Sequence, residues 1–271
     1  MENRLYFYAN MSKSDAGSVL RTAMNAASEE GFTCVNFDLP EDLYLAASEQ
    51  KPDFIITIGG DGTILRLVSI QLNDERALEI PILGINLGKI GFLTEILIDD
   101  FRSALVEFKN GNYSVETKST LHCVVSDKEN YTCLNDFLIF KNSFSSVTHM
   151  DASIDGNSIG IIRSDGIIIS TPAGSTGYSI SAGGPVVAPN LDVILVTPIC
   201  SHSLTSRPIV ASYDFEVVVK VLSECFLSSD GKQLMTLPEG SEVRIVKSDR
   251  KVGFIRFGER NIFKLMRERL A

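Results

Sequence analysis

The chain has 271 residues, 44% of them hydrophobic, with 34 acidic and 25 basic side chains and a formal net charge of −9. That length and apolar content can bury a large core, in two domains rather than one, without small-domain staples. The acidic balance excludes the basic stripe that a nucleic-acid or membrane-surface protein needs, and no run of about 18 uncharged apolar residues is present to cross a bilayer.

The first residues, "MENRLYFYAN", carry charge at once and lack a long apolar core, so no export leader is expected and a cytoplasmic location is. Up to about residue 110, the apolar runs "RLYFY", "FTCVNF", "DFIITI" and "PILGIN" alternate with helical stretches. The clearest helix spans 14–30 and closes on Gly31. This α/β rhythm ends in a helix over 99–110, with Asp99 near its N-cap and Gly111 just past its end. Strand-like segments then follow one another: "YSVETKSTLHCVVS", "YTCLNDFLIF", "VTHMDASIDG", "GIIIST", "LDVILVT" and "YDFEVVVKVL". With Asp155-Gly156 and Asp230-Gly231 as turn signals, they predict an antiparallel two-sheet domain. In the closing helix, "ERNIFKLMRERL", Ile262, Phe263, Leu265, Met266 and Leu270 fall on one face, which is expected to pack back on the first domain.

The expected fold is therefore an α/β N-terminal domain (1–110), an all-β sandwich (111–245) and a C-terminal segment (246–271) whose helix returns to the N-terminal domain. Five cysteines, Cys34, Cys123, Cys133, Cys200 and Cys225, are odd in number and form no CxxC pair, which favours reduced thiols. His122, His149 and His202 lack metal-ligand spacing, so no metal-ligating side chains are named.

Chemistry concentrates in two places. In "ITIGGDGTILR", residues 56–66, a buried parallel strand turns into a helix through Gly59, Gly60, Asp61 and Gly62. Such glycines let backbone amides approach a phosphate at a positive helix end, and Asp61 contradicts a purely anion-binding account. Its carboxylate suits a metal, or the proton of an attacking hydroxyl, both tasks of phosphoryl transfer; alternatively it merely caps the helix. "GINLGK" has one residue too few between its glycines for a P-loop, no GxGxxG follows a strand, and "AGSTGYS" lacks GxSxG spacing. The second place is "RSDGIIISTPAGSTGYSISAGGP", residues 163–185, where a strand opens into a turn rich in hydroxyls, glycines and one tyrosine, suited to a nucleotide.

These segments, together with "LGKIGFLTE", "LND" and "PICSHSLTSRPIV", appear in the order found in the NAD kinases, and the chain resembles that family over nearly its whole length. The resemblance implies transfer of a phosphoryl group from ATP, or in some members polyphosphate, to the adenosine 2'-hydroxyl of NAD, giving NADP. It implies Asp61 as proton acceptor, Gly62 in the phosphate-side turn, Arg66 at a basic position and Phe92 as a pocket wall. Asn135 and Asp136 would bind the dinucleotide's adenosine and ribose groups, and Arg163 and Asp165 its other end. Thr176, Gly177, Tyr178, Ser179, Ile180 and Ser181 would line the adenine side, with Lys232 as a further binding residue. A divalent ion, Mg²⁺, would screen the phosphates, and a homodimer or homotetramer is implied, with no nucleic acid or membrane as partner. Three positions depart from the family pattern: Asp136 for Glu, Ala173 for Thr and Gly177 for Ala. A lipid or sugar kinase sharing "GGDGT", or a nucleotide sensor without turnover, are the alternatives on residues alone.

Overall fold

In the first hundred residues, apolar runs become parallel strands because helices cover both faces of their sheet. A computed structural model describes residues 3–74, 77, 79–143, 147–203, 206–258 and 262–270. It divides into one unit of Met1–Lys118 with Lys251–Ala271 and a second of Ser119–Arg250. In the first unit, β1 (Arg4–Ala9), β2 (Thr33–Phe37), β3 (Phe54–Gly59) and β4 (Ile82–Asn86) are parallel in the order β2-β1-β3-β4. The helices are α1 (Ala16–Glu29), α2 (Pro40–Glu49), α3 (Asp61–Asn73) and α4 (Phe101–Lys109). α1 and α4 bury Leu20, Ala23, Phe101 and Leu105 against Leu5, Phe7, Ile56 and Ile58. Side chains alternate along a strand, so Tyr6 faces the other way, where its hydroxyl donates to the Gln50 carbonyl at the end of α2. Each fully buried Leu, Ile or Phe contributes about 1.5–3 kcal/mol.

α1 ends before Gly31, which takes a positive φ of 87°. α4 starts two residues later than the sequence suggests, because Ile98–Asp100 form a 3-10 turn and Asp100 takes the N-cap place. Strand order reverses direction between β1 and β3, and the carboxyl ends of strands at such a point leave a crevice.

The second unit is antiparallel. Its strands are β5 (Ser114–Val125), β6 (Glu129–Cys133), β7 (Asp136–Lys141), β8 (Thr148–Ile154), β9 (Asn157–Ser164) and β10 (Gly166–Ser170). After a helical turn, α5 (Tyr178–Ser181), come β11 (Val193–Ile199), β12 (Ile209–Ser212), β13 (Val217–Val221), β14 (Cys225–Ser229), β15 (Lys232–Leu237) and β16 (Glu242–Arg256). One sheet contains β9, β8, β13 and β16, with β5 and β6 paired beside them; the other runs β12-β11-β10-β7-β14-β15. Leu121, Met150, Val217, Val219 and Val243 of the first meet Phe137, Ile139, Ile169, Val196 and Leu227 of the second in one core. All five cysteines are free, and burial pushes the Cys123 thiol up to about 12.

"YTCLNDFLIF" is two strands rather than one. β6 pairs with β5, whereas β7 lies between β10 and β14 in the other sheet, and the chain changes sheet at Leu134-Asn135. The unit boundaries fall within β5 and β16, after the change of pattern near residue 110, because each of these long strands carries the chain from one unit into the other. The end of β16 runs parallel to β4, with Phe254 opposite Ile82, and leads to α6 (Ile262–Leu270). On α6, Leu265 and Met266 are half-buried and Phe263 is 69% exposed, while the side chains of Ile262 and Leu270 lie outside those described. Among the described residues, no helix is long and apolar enough to cross a membrane.

Candidate active site

At the carboxyl end of β3 the chain turns through Gly60, the N-cap of α3, and Asp61 is the first residue of the helix. The capping alternative fails on geometry, because no side chain caps this helix and the Asp61 carboxylate is used elsewhere. Its Oδ2 accepts the Phe92 N–H at 2.8 Å, and its Oδ1 accepts those of Leu93 at 3.1 Å and Thr94 at 3.2 Å. A carboxylate offers about four lone-pair directions, so three amides hold this one in place and leave capacity on Oδ2. Gly91 permits the approach: a Cβ there would lie 2.1 Å from Asp61 Oδ1. Gly60 and Gly62 are different, since a Cβ on either would meet nothing within 4 Å. Packing within the chain does not require them to be glycine, but a ligand brought against the helix N-terminus would.

The loop that grips Asp61 is tied to itself. Asn86 Nδ2 and the Gly91 N–H both donate to Thr94 Oγ1, at 3.0 and 2.6 Å, and Asn86 Oδ1 accepts the Gly88 N–H at 2.8 Å. Beside the turn, Lys13, Asp15, Gly59, Gly60, Asn86 and Gly88 are among the residues that line a cleft of about 320 Å³ at the carboxyl ends of the strands. Lys13 and Asn86 do not stand out in the sequence, and the signal that finds them is topological: Lys13 follows β1, at the switch of strand order, and Asn86 ends β4, the next strand after β3. Arg66 is exposed on α3 and lies within electrostatic reach of Tyr8, whose phenol burial raises while Arg66 acts in the opposite sense. Phe92 is half-buried.

In the second unit, the change of sheet at Leu134-Asn135 builds another constellation. The Asp230 carboxylate accepts three successive amides, Leu134 at 2.9 Å, Asn135 at 2.7 Å and Asp136 at 3.2 Å. Thr171 ties in the nucleotide-like turn: its hydroxyl donates to the Leu134 carbonyl at 2.7 Å and its N–H to that of Asn135 at 2.9 Å. Gly174 then packs so closely that a Cβ would sit 2.1 Å from the Asn135 carbonyl oxygen. Asn135 Oδ1 is buried and has no partner among the described residues, an acceptor that a bound ligand could use. Asp136 is 7% exposed, and its carboxyl rises to about 7 because burial penalises the charge and Asp230 adds like charge. Burial raises Asp230 as well, opposed by its three amides. At Gly177 an added Cβ would lie 3.2 Å from the Gly174 carbonyl and 3.7 Å from Asp136 Oδ2, so glycine leaves that side of the carboxyl open.

The remaining positions separate by exposure. Tyr178 and Ser181 are exposed and Ile180 is half-buried, whereas Ser179 is fully buried and its hydroxyl pairs with Thr197 Oγ1 at 3.0 Å. Thr176 Oγ1 donates to the Ala173 carbonyl at 3.1 Å. Asp165 accepts from Lys141 Nζ at 2.7 Å, a partner the sequence reading missed, and Arg163 presents an exposed side chain on β9. Lys232, exposed, follows the Asp230-Gly231 turn. The unit thus joins Asn135, Asp136, Gly177 and Asp230 in one neighbourhood. Asp230 is the member that sequence reading took for a turn signal alone.

The chain is similar to known proteins over most of its length. Residues 14–113 match the family model described as ATP-NAD kinase N-terminal domain, and residues 134–257 match ATP-NAD kinase C-terminal domain. An NAD kinase of Geotalea daltonii is 35% identical over 246 residues, covering 88% of this chain and 82% of that protein. One from Methanothermobacter thermautotrophicus is 41% identical over 221 residues, covering 80% and 76%. Among solved structures, an NAD kinase from Archaeoglobus fulgidus in complex with ATP superposes with a TM-score of 0.80 at 26% identity, covering 98% of each chain. Yeast NADH kinase complexed with NADH shares the fold, with a TM-score of 0.88 at 22% identity over 99% of this chain and 87% of that one. With two consecutive family models spanning most of its length and relatives well above 30% identity, the chain belongs to the NAD kinase family.

Proposed function

We propose that this protein transfers the γ-phosphoryl group of ATP to the adenosine 2'-hydroxyl of NAD, giving NADP, with Asp61 accepting the hydroxyl proton. The observation that carries the reading is the Asp61 carboxylate, held by three amides at the start of α3 beside two glycines that nothing in the chain crowds. As the 2'-oxygen bonds to the γ-phosphorus, the bond to the β,γ-bridging oxygen breaks and ADP leaves, while the 2'-hydroxyl proton passes to the carboxylate. The cleft along Gly59, Gly60 and Gly88, with the Lys13 cation and the α3 N-terminus, suits the phosphates of the donor. Asn135, with its open acceptor, and Asp136 bind the adenosine and ribose groups.

A divalent ion such as Mg²⁺ would supply neutralisation of the charge on the transferring phosphoryl group. Among the described residues, no three His, Cys, Asp or Glu side chains gather to hold a metal. The residues do not form a cage, and the ion would be carried by the phosphates of ATP. The test is incubation with NAD, ATP and Mg²⁺ followed by NMR location of the new phosphate. Phosphate on the adenosine 2'-oxygen is the expected result; phosphate elsewhere, or ATP hydrolysis without transfer, would overturn the assignment.

A further inference from the structure

We propose that Arg256 is a positioning residue for Asp61, acting through the single peptide group between Leu93 and Thr94; this rests on the reading of Asp61 given above. Arg256 Nη1 donates to the Leu93 carbonyl at 3.2 Å, and the Thr94 N–H of that same peptide donates to Asp61 Oδ1 at 3.2 Å. A cation at the carbonyl polarises the amide, and its N–H becomes the stronger donor to the carboxylate beyond it. One peptide plane therefore links a guanidinium at the end of β16 to a carboxylate at the start of α3.

The guanidinium is itself fixed. Its Nε donates to Glu116 Oε2 at 2.7 Å and its Nη1 to Glu95 Oε2 at 3.0 Å, while Glu95 Oε1 accepts the Phe257 N–H at 3.1 Å. The Phe254 ring lies 5.2 Å from its central carbon. Burial works to raise the Glu116 carboxyl, but hydrogen bonds from Lys118 and Arg256 outweigh it and hold the group below its usual range. Glu95 thus fastens Arg256 to the residue after the amides that grip Asp61.

Stability alone accounts poorly for this arginine. Buried ion pairs roughly break even against apolar side chains of the same volume. Arg256 is 3% exposed and, among the described residues, its Nη2 has no hydrogen-bond partner, so its burial adds a desolvation cost. What the planar fork does supply is simultaneous hold on Glu116, Glu95 and the Leu93 carbonyl, a geometry that one ammonium group cannot reproduce.

The experiment compares kcat and both KM values for the parent, Arg256→Lys, Asp61→Asn and the double variant, each verified as folded by its thermal midpoint. Arg256→Lys should lower kcat by roughly tenfold or more, as expected for a displaced catalytic group, with KM for NAD and ATP within about twofold. Because the effect runs through Asp61, the double variant should be no slower than Asp61→Asn within a factor of about two. A folded Arg256→Lys with unchanged kcat, or a double variant showing both losses multiplied, would overturn the relay while leaving Asp61 in place. Should Arg256→Lys not fold, Glu95→Gln loosens the same arginine without a buried cation change, and unchanged kcat there would equally overturn it. Near-normal turnover of Asp61→Asn is the separate outcome that removes the underlying reading, and the relay with it.

Discussion

Replacing Asp136 by Asn should stabilise the protein above neutral pH and erase a pH dependence that the parent shows. Asp136 is 7% exposed, and its carboxyl rises from 3.8 to about 7, through burial first and the Asp230 charge second. The unfolded chain holds that proton only below about pH 3.9, so across roughly pH 5 to 7 the native state binds about one proton more. Stability is then fully supported at low pH and falls by about 1.4 kcal/mol per unit as pH rises, until the native group ionises near pH 7 and the curve flattens. A rise of about three units corresponds to about 4 kcal/mol in total, of which about 2 kcal/mol is lost between about pH 5.5 and 8. Urea unfolding at those two pH values, on parent and Asp136→Asn, reads the difference directly. Asn fills nearly the same volume with no charge to bury, so the variant should lack this component of the slope and be the more stable protein at about pH 8. Equal pH slopes in the two proteins would refute the assignment of a buried proton to Asp136.

Asp230→Asn removes one of the two oxygens that accept the amides of Leu134, Asn135 and Asp136 and places an N–H₂ group against them. It should lower unfolding free energy by about 2–3 kcal/mol in urea melts and raise KM for NAD, because the backbone beneath Asn135 and Asp136 loosens. Gly91→Ala puts a methyl 2.1 Å from Asp61 Oδ1, so steady-state assays should show kcat falling roughly 10²-fold or more. A smaller loss, with Asp61 and its amides unmoved in a crystal structure of the variant, would count against the cradle. Lys13→Ala removes an exposed cation from the cleft beside Gly59 and Gly60 and should raise KM for ATP by roughly 3- to 10-fold without altering the thermal midpoint, the effect shrinking at high salt. An unchanged KM would take the donor's phosphates out of that cleft.

The elements and the two turns proposed to form the site are legible where sequence expresses them locally. Apolar runs such as "FIITI" read as buried strands because every position is covered, and "GGDG" reads as a candidate site because glycines and a carboxylate share one strand-to-helix turn. What the pattern could not express is contact made through the main chain. Asp230 looks like any Asp-Gly turn residue, yet it accepts amides about 95 positions earlier; Arg256 looks like a strand-end cation, yet it reaches the Leu93 carbonyl. Backbone groups have the same chemistry at every residue, so their long-range partners leave no signature in side-chain order. For the same reason "YTCLNDFLIF" read as one strand: the break at Leu134-Asn135 is fixed by the Asp230 carboxylate and Thr171, neither of which lies in that segment.

Turnover of Asp61→Asn at saturating NAD and ATP bears most directly on the account. Asn matches Asp in shape, cannot take up the 2'-hydroxyl proton, and presents an N–H₂ group toward the amides of Phe92 to Thr94. The thermal midpoint and NAD affinity are therefore recorded on the same preparation. The expected result is folded protein that still binds NAD and forms NADP roughly 10² to 10⁴-fold more slowly, a loss of about 3–5 kcal/mol in transition-state stabilisation. NADP formation within a few-fold of the parent rate would contradict it and remove Asp61 from proton transfer.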